Sequence, residues 1–268
     1  MGDFYRLIGN PVGHSKSPLI HAAFARQLGI DLTYDSVLAP LDGFAATVAA
    51  LAAAGCKGAN VTVPFKIAAF ALCTRLSARA RAAGAVNTLT FDAGAIAGDN
   101  TDGAGLVADI TGNAGLAIAG QRVLVVGAGG AARGALLPLI EQGPATLTLV
   151  NRTAATAAAV AAQFDFPIDV RAFAELRGPF DIVINATSAS LTGALPPLPA
   201  CVFGAGTLAL DMMYGAASTP FMAFAAEHGA ATRDGLGMLV EQAAEAFYGW
   251  RGVRPATAAV LASLRAAA

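Results

Sequence analysis

Arg122-Val123-Leu124-Val125-Val126-Gly127-Ala128-Gly129-Gly130-Ala131-Ala132 is the stretch that decides the fold. Its first half is an apolar, largely β-branched run, which reads as a strand buried on both faces, as in a parallel sheet. Its second half is Gly-x-Gly-x-x-Ala, opening a helix expected over residues 131–142. Glycines allow a tight turn and close approach of the backbone to a ligand. The free N–H groups of the helix N-terminus favour a pyrophosphate. A plain glycine-rich turn carries the same letters, but the strand before and the helix after make a dinucleotide site the better reading.

The next strand, 146–150, tests that reading. An NAD site places a carboxylate at its end to hold the ribose hydroxyls. Here the strand runs into Asn151-Arg152-Thr153. A carboxylate would repel a 2′-phosphate, whereas Arg152 can pair with it, so the expected cofactor is NADP(H). The alternative is that these residues merely cap the following helix, which Thr153 could do alone.

Outward from this centre, strand-like and helix-like runs alternate, which argues for an α/β fold with largely parallel sheets. Further strands are expected at 5–9, 33–38, 58–63, 88–91, 181–185 and 207–210. Further helices are expected at 18–28, 41–54, 65–76, 78–83, 154–164, 236–250 and 255–267. The boundary between two domains is placed just before Gly103. Residues 1–102, joined by the C-terminal helices of 236–268, would form the first domain and residues 103–235 the second.

Composition narrows the function. The chain has 268 residues, 56% hydrophobic and 13% charged, with net charge −1, so a general electrostatic footprint for nucleic acid is not expected. No apolar run is long enough to span a membrane, and the N-terminus has no signal-peptide layout, so a cytoplasmic protein is expected. Cys56, Cys73 and Cys201 form no CxxC, and His14, His21 and His228 offer no metal-ligand spacing, so no metal is expected.

Lysine usage points to chemistry. There are 14 Arg but only Lys16, Lys57 and Lys66. Arginine cannot give up its proton near neutral pH, whereas lysine can when its pKa is lowered. Lys66, after a strand-like run and a proline, is the acid/base candidate; a solvated surface lysine is the plain alternative. Ser15 and Ser17 flank Lys16 before a helix. Ser17-Pro18 reads as an N-cap and first helical residue, and two hydroxyls at a helix N-terminus also suit a carboxylate. Asp99-Asn100-Thr101-Asp102-Gly103 is more polar than a cap requires, and Asp102 could hold a substrate hydroxyl and tune a lysine. Six of the seven asparagines fall in the segments singled out, Asn113 being the exception. Such uncharged donor–acceptor groups suit a polyhydroxylated ligand.

The blocks NPVGHSKSP, KGANVTVPFK, AGAVNTL, GDNTDG, GAGGAAR, NRT, NATS, DMMY and DGLGMLVEQAAEAF, in this order, resemble the shikimate dehydrogenase family from Ile8 to Phe247. The resemblance implies an N-terminal αβα substrate domain and a Rossmann-like NADP-binding domain with a cleft between them. It implies reversible reduction of 3-dehydroshikimate to shikimate with NADPH, in aromatic amino-acid biosynthesis. Ser15 and Ser17 would bind the carboxylate. Asn60, Thr62, Asn87, Tyr214 and Gln242 would contact ring hydroxyls or carboxylate, and Lys66 and Asp102 would form the catalytic pair. Gly127, Ala128, Gly129, Gly130 and Ala131 would cradle the pyrophosphate, with Asn151, Arg152 and Thr153 at the adenosine phosphate end. Met212 and Gly235 would lie near the nicotinamide. A small-molecule substrate and a monomer or homodimer are expected. Three departures stand out: Thr156 where a second basic residue is common, Ala78 where an acid is common, and Ser190 in place of a glycine-containing turn. The first rests the 2′-phosphate clamp mainly on Arg152. A broader NAD-dependent quinate/shikimate dehydrogenase and a non-catalytic nucleotide-responsive protein are the rival readings.

Overall fold

The computed structural model describes residues 2–215 and 218–267. The chain divides into two compact units. One runs to Gly105 and resumes over Leu239–Ala266, and the other spans Leu106–Met238.

The first unit holds β1 (Asp3–Gly9), α1 (Ser17–Leu28), β2 (Leu32–Leu38), α2 (Phe44–Ala53), β3 (Gly58–Val61), α3 (Lys66–Leu72), β4 (Arg75–Leu76), α4 (Ala78–Ala83), β5 (Thr88–Asp92) and β6 (Ala95–Asp99). The strands make one sheet in the order β2-β1-β3-β5-β6-β4. It is mixed: β1 pairs in parallel with β2 and β3, while β5 runs antiparallel to both β3 and β6. The reversal is made at a two-residue turn in which Ala93 (φ 46°) and Gly94 (φ 84°) both take the left-handed conformation, the geometry a tight hairpin demands. Helix α3 stops at Leu72 rather than near residue 76, because Cys73 is extended and the Thr74 N–H pairs with the Ile96 carbonyl at the sheet edge. Ile8, Val61, Phe65 and Leu89 are buried in a core cluster of this unit.

Between the two sheets the chain runs through α5 (Asp102–Ala108) and a π-helical turn at Asp109–Asn113. The second unit then holds β7 (Arg122–Val126), α6 (Gly130–Ile140), β8 (Thr146–Val150), α7 (Ala154–Ala161), β9 (Ile168–Arg171), β10 (Ile182–Asn185), β11 (Leu208–Asp211), α8 (Pro220–Glu227) and β12 (Ala231–Arg233). Its sheet is wholly parallel, in the order β12-β11-β10-β7-β8-β9. Counting from β7, this is the 3-2-1-4-5-6 order of doubly wound dinucleotide-binding sheets, with its switch point between β7 and β10. Val123 and Val125 point into one apolar layer and Leu124 and Val126 into the other, so β7 is buried on both faces. That double burial is the cause of its unbroken apolar sequence.

The C-terminal helices are α9 (Leu236–Arg251) and α10 (Ala258–Ala266). Phe247 packs edge-on to Phe24 on α1, and Trp250 stacks on Tyr5 of β1 and donates its indole N–H to the Leu89 carbonyl. Among the described residues no helix is long and apolar enough to cross a membrane, and no group of three or more His, Cys, Asp or Glu could hold a metal ion.

Candidate active site

Lys66 is the first residue of α3, reached through a turn in which the Phe65 N–H bonds the Thr62 carbonyl. Asp102 is the first residue of α5. The sheet brings these residues together across 36 positions of sequence: Lys66 Nζ lies 2.5 Å from Asp102 Oδ2. Both are only partly exposed, so the pair meets solvent without being dissolved in it. Asp102 is aimed from both ends. Its backbone N–H bonds Asn100 Oδ1, and its Oδ1 accepts from Asn87 Nδ2 at 2.8 Å.

Asn87 is the hub of this site. Its Nδ2 serves Asp102, Thr101 Oγ1 (3.0 Å) and Gln242 Oε1 (3.3 Å), while its Oδ1 accepts from the Thr101 N–H (2.9 Å) and from Thr88 Oγ1 (2.8 Å). Thr101 gives its carbonyl to the first turn of α5, but its hydroxyl turns onto Asn87 instead of capping the helix. The surplus polarity of the Asp99–Asp102 segment therefore goes into the network. Asn60, on β3, donates to the Asn87 carbonyl and Thr88 Oγ1 and accepts from the Tyr34 hydroxyl at 2.8 Å. Thr62 sets its methyl against Gly9, where a Cβ would come within 2.4 Å.

At the N-terminus of α1 the structure corrects the capping expectation. The cap position is Lys16, without a side-chain cap bond, and Ser17 is already helical. Ser15 supplies the missing acceptor: its Oγ takes the Ser17 N–H at 3.2 Å and lies 3.1 Å from Ser17 Oγ. The two hydroxyls are thus adjacent at a helix N-terminus, where a carboxylate is favoured.

A charged frame stands behind Asp102. Arg79 holds Asp99 through two hydrogen bonds and also reaches Glu245 Oε1 at 2.9 Å, while Ser77 Oγ bonds Asp99 and caps α4. Burial alone would raise the Asp99 carboxyl, but the hydrogen bonds and charge of Arg79, with Ser77 and the Asn100 N–H, bring it below the usual carboxylate range. Glu245 is likewise lowered, its burial outweighed by Arg254 and Arg79. Arg79 thereby ties α4, β6 and α9 together and fixes the strand that leads into Asp102.

In the second unit the glycine-rich turn divides its work. Gly127 has φ 108°, and a Cβ there would press on Thr187 Cγ2 at 3.0 Å and the Ala186 carbonyl at 3.2 Å, across the switch point. A Cβ on Gly129 or Gly130 would meet nothing within 4 Å, so these keep the approach to the N-terminus of α6 open. Ala132 is fully buried where the helix packs on its sheet. This is the division of labour that a pyrophosphate cradle requires. Thr153 occupies the cap position of α7 but makes no side-chain cap bond, and Asn151 Nδ2 donates to its carbonyl. Arg152 is exposed and forms no ion pair among the described residues. An anion with a phosphate's geometry would complete this corner. Met212 and Gly235 are clamped together: the Gly235 N–H bonds the Met213 carbonyl, and a Cβ on Gly235 would meet the Met212 carbonyl oxygen at 2.3 Å. Tyr214 belongs to this unit, and burial raises its phenol.

Further residues shape both units. Tyr34, Thr88 and Thr101 complete the hydrogen bonds of Asn60 and Asn87. Asp211, fully buried at the end of β11, accepts from Asn185, Ser190, Thr219 and the Met213 N–H. The Ser190 hydroxyl, at 2.6 Å from Asp211, gives that departure from the glycine-containing turn a structural use. A buried tyrosine on a strand is a usable signal, because its hydroxyl must find a partner.

A doubly wound unit with an open glycine-rich turn beside its switch point, in a chain whose other unit holds a lysine–carboxylate pair, has the make-up of a dinucleotide-dependent oxidoreductase. Comparison with known proteins makes this particular. Residues 7–89 match the shikimate dehydrogenase substrate binding domain, 109–192 the shikimate / quinate 5-dehydrogenase model and 235–265 the shikimate 5′-dehydrogenase C-terminal domain. Shikimate dehydrogenase (NADP(+)) of Janthinobacterium sp. (strain Marseille) is 61% identical over 98% of this chain and 97% of the relative. Among solved structures, an Ael1 enzyme from Pseudomonas putida superposes with a TM-score of 0.95 at 49% identity, covering 98% of each chain. Shikimate 5-dehydrogenase from Thermus thermophilus, in complex with NADP(H) and shikimate, has a TM-score of 0.89 at 31% identity over 99% of this chain and 100% of that one. The chain belongs to the shikimate dehydrogenase family.

Proposed function

We propose that this chain interconverts shikimate and 3-dehydroshikimate with NADP(H), a step of the shikimate pathway, with Lys66 and Asp102 as its catalytic pair. The observation that carries the proposal is the Lys66 Nζ–Asp102 Oδ2 contact at 2.5 Å, with Asp102 Oδ1 fastened to Asn87. NADP⁺, when bound, supplies the hydride acceptor for the alcohol carbon. As the alcohol is oxidised, Lys66 takes the hydroxyl proton, and in reduction it returns a proton to the developing alkoxide. Asp102 orients the ammonium and keeps lone pairs for a neighbouring substrate hydroxyl. Ser15 and Ser17 hold the carboxylate. Asn60, Thr62, Asn87, Gln242 and Tyr214 receive the remaining polar groups of the substrate. The cofactor residues are Gly127–Ala131 for pyrophosphate, Asn151, Arg152 and Thr153 for the adenosine phosphate, and Met212 and Gly235 for nicotinamide. The first unit is the substrate domain and the second the NADP domain.

The test is NADPH formation from shikimate and NADP⁺, run beside shikimate with NAD⁺ and quinate with each cofactor. Turnover confined to shikimate with NADP⁺ supports both the reaction and the role of Arg152. Turnover with NAD⁺ or quinate moves the chain to the broader branch, and no turnover from folded protein sinks the enzymatic reading.

A further inference from the structure

Asp211 ends β11 fully buried, beside its register partner Asn185 at the end of β10. Its Oδ2 accepts from Asn185 Nδ2 (3.2 Å), Ser190 Oγ (2.6 Å) and Thr219 Oγ1 (2.7 Å), and its Oδ1 accepts from the Met213 N–H (3.0 Å). The directions of these bonds are set from outside. Asn185 Oδ1 is taken by the N–H and hydroxyl of Thr187, so its amide nitrogen is what faces Asp211. Thr219 Oγ1 accepts from the Met222 N–H as the cap of α8, which leaves its hydrogen for Asp211. A main-chain N–H can only donate. An asparagine at 211 would offer one oxygen in place of two and turn its own N–H groups on these donors, so the node requires a carboxylate.

The node ties together the two connections that leave the carboxyl ends of β10 and β11. Ser190 belongs to the first, and Met213 and Thr219 to the second. Thr187, in the first, is also the side chain that a Cβ on Gly127 would meet at 3.0 Å, so this connection abuts the glycine-rich turn. Met213 passes the constraint on. Its N–H rests on Asp211 and its carbonyl receives the Gly235 N–H, while the Met212 carbonyl lies 2.3 Å from where a Gly235 Cβ would stand. Open α/β sheets bind their ligand at the carboxyl ends of the strands, across the switch point. Here the switch point separates β7 and β8, which lead into the glycine-rich turn and Arg152, from β10 and β11. A dinucleotide with its phosphates on the first pair extends its nicotinamide toward the second. We propose that Asp211 is a positioning residue for the nicotinamide end of the cofactor: one buried carboxylate fixes both connections that receive the ring, without touching it. Ser190 contributes the shortest of the four bonds, through a hydroxyl that a glycine there would lack. The inference rests on the NADP(H) reading proposed above.

The experiment compares two probes by titration calorimetry: NADP⁺, and 2′-phosphoadenosine diphosphate ribose, which is NADP⁺ without its nicotinamide. Asp211→Asn should raise Kd for NADP⁺ about tenfold and leave Kd for the ring-less probe unchanged. Ser190→Ala removes a single bond to the same oxygen and should raise Kd for NADP⁺ roughly threefold, again with the ring-less probe unchanged. A merely structural Asp211 would lower the melting temperature while both Kd values stay put, or would weaken both probes together, and either result overturns the proposal. If Asp211→Asn does not fold, Ser190→Ala decides: equal changes for the two probes, or none, would overturn it. If the native protein binds neither probe, it is the function proposed above that fails.

Discussion

The two ends of the proposed reaction are built on opposite plans. In the first unit, polar side chains are already satisfied by one another: Lys66 by Asp102, Asp102 by Asn87, and Asn60 by Tyr34 and Thr88. In the second unit the corresponding positions are bare. Gly129 and Gly130 face open space, Thr153 leaves its cap bond unmade, and Arg152 has no carboxylate partner among the described residues. The contrast follows from the work each end does. Proton transfer needs groups whose positions do not change when the ligand arrives, which a network supplies in advance. A pyrophosphate needs backbone N–H groups with nothing in the way, and a 2′-phosphate needs a cation not already neutralised. Substitutions in the first unit should therefore act on turnover or substrate choice, and substitutions in the second on cofactor affinity.

The sharpest way to break this contrast is at Asp102. Asp102→Asn keeps the shape but removes the charge beside Lys66 and sets an amide against Asn87 Nδ2. Turnover should fall about 10²–10³-fold, with KM for NADP⁺ nearly unchanged, as read by steady-state kinetics with both ligands varied. A large rise in KM for NADP⁺ instead would erase the division between the ends. A smaller effect is expected at Arg152. Arg152→Ala should raise KM for NADP⁺ roughly 10–100-fold, the worth of one or two charge-assisted hydrogen bonds, while kcat and whatever turnover NAD⁺ supports stay put. Because Thr156 gives no second cation, the variant should nearly lose its preference between the two cofactors. Retained preference would mean that another group reads the phosphate.

The smallest effect at neutral pH is expected at His21, buried at 1% exposure with neither ring nitrogen hydrogen-bonded. Burial lowers its pKa to about 3, against a smaller opposing effect of the Asn60 side chain. Above the ordinary value of about 6.5 the ring is neutral folded or unfolded. Between there and about 3 the unfolded chain takes up a proton that the folded one refuses, so stability falls as pH drops through this window. In thermal melts from pH 7 to 4, His21→Phe should track the native protein at the top and fall less steeply below about pH 6.5. Parallel curves would show that His21 titrates normally.

Much of the second unit is legible because double burial writes itself as unbroken apolar strands, and because a glycine-rich turn at the end of one of them has few structural uses. The first unit is harder to read. β6, Ala-Ile-Ala-Gly-Asp, has a good strand former only at Ile96, and its turn is Ala93-Gly94 rather than the Asn-Gly or Asp-Gly that announces a hairpin. The antiparallel half of that sheet therefore leaves little local signal. The short edge strands β9 and β12 have too few residues to show a period. At the site, Lys66 and Asp102 can be singled out as residue types in polar segments, yet their contact depends on strand order, which local pattern does not carry. Tyr34 is hidden for a related reason. It is the buried member of β2, Leu-Thr-Tyr-Asp-Ser-Val-Leu, and nothing local reveals that its hydroxyl ends on an asparagine 26 residues away.

The most direct measurement is single-turnover reduction of NADP⁺ by shikimate, both saturating, in Lys66→Ala and Lys66→Arg beside the native protein. If Lys66 carries the proton, both variants should bind both ligands with near-native affinity and turn over at least about 10²-fold more slowly, the arginine failing because it holds its proton. Near-native turnover in Lys66→Ala would contradict the assignment and leave the Lys66–Asp102 contact as an ion pair without a part in the chemistry.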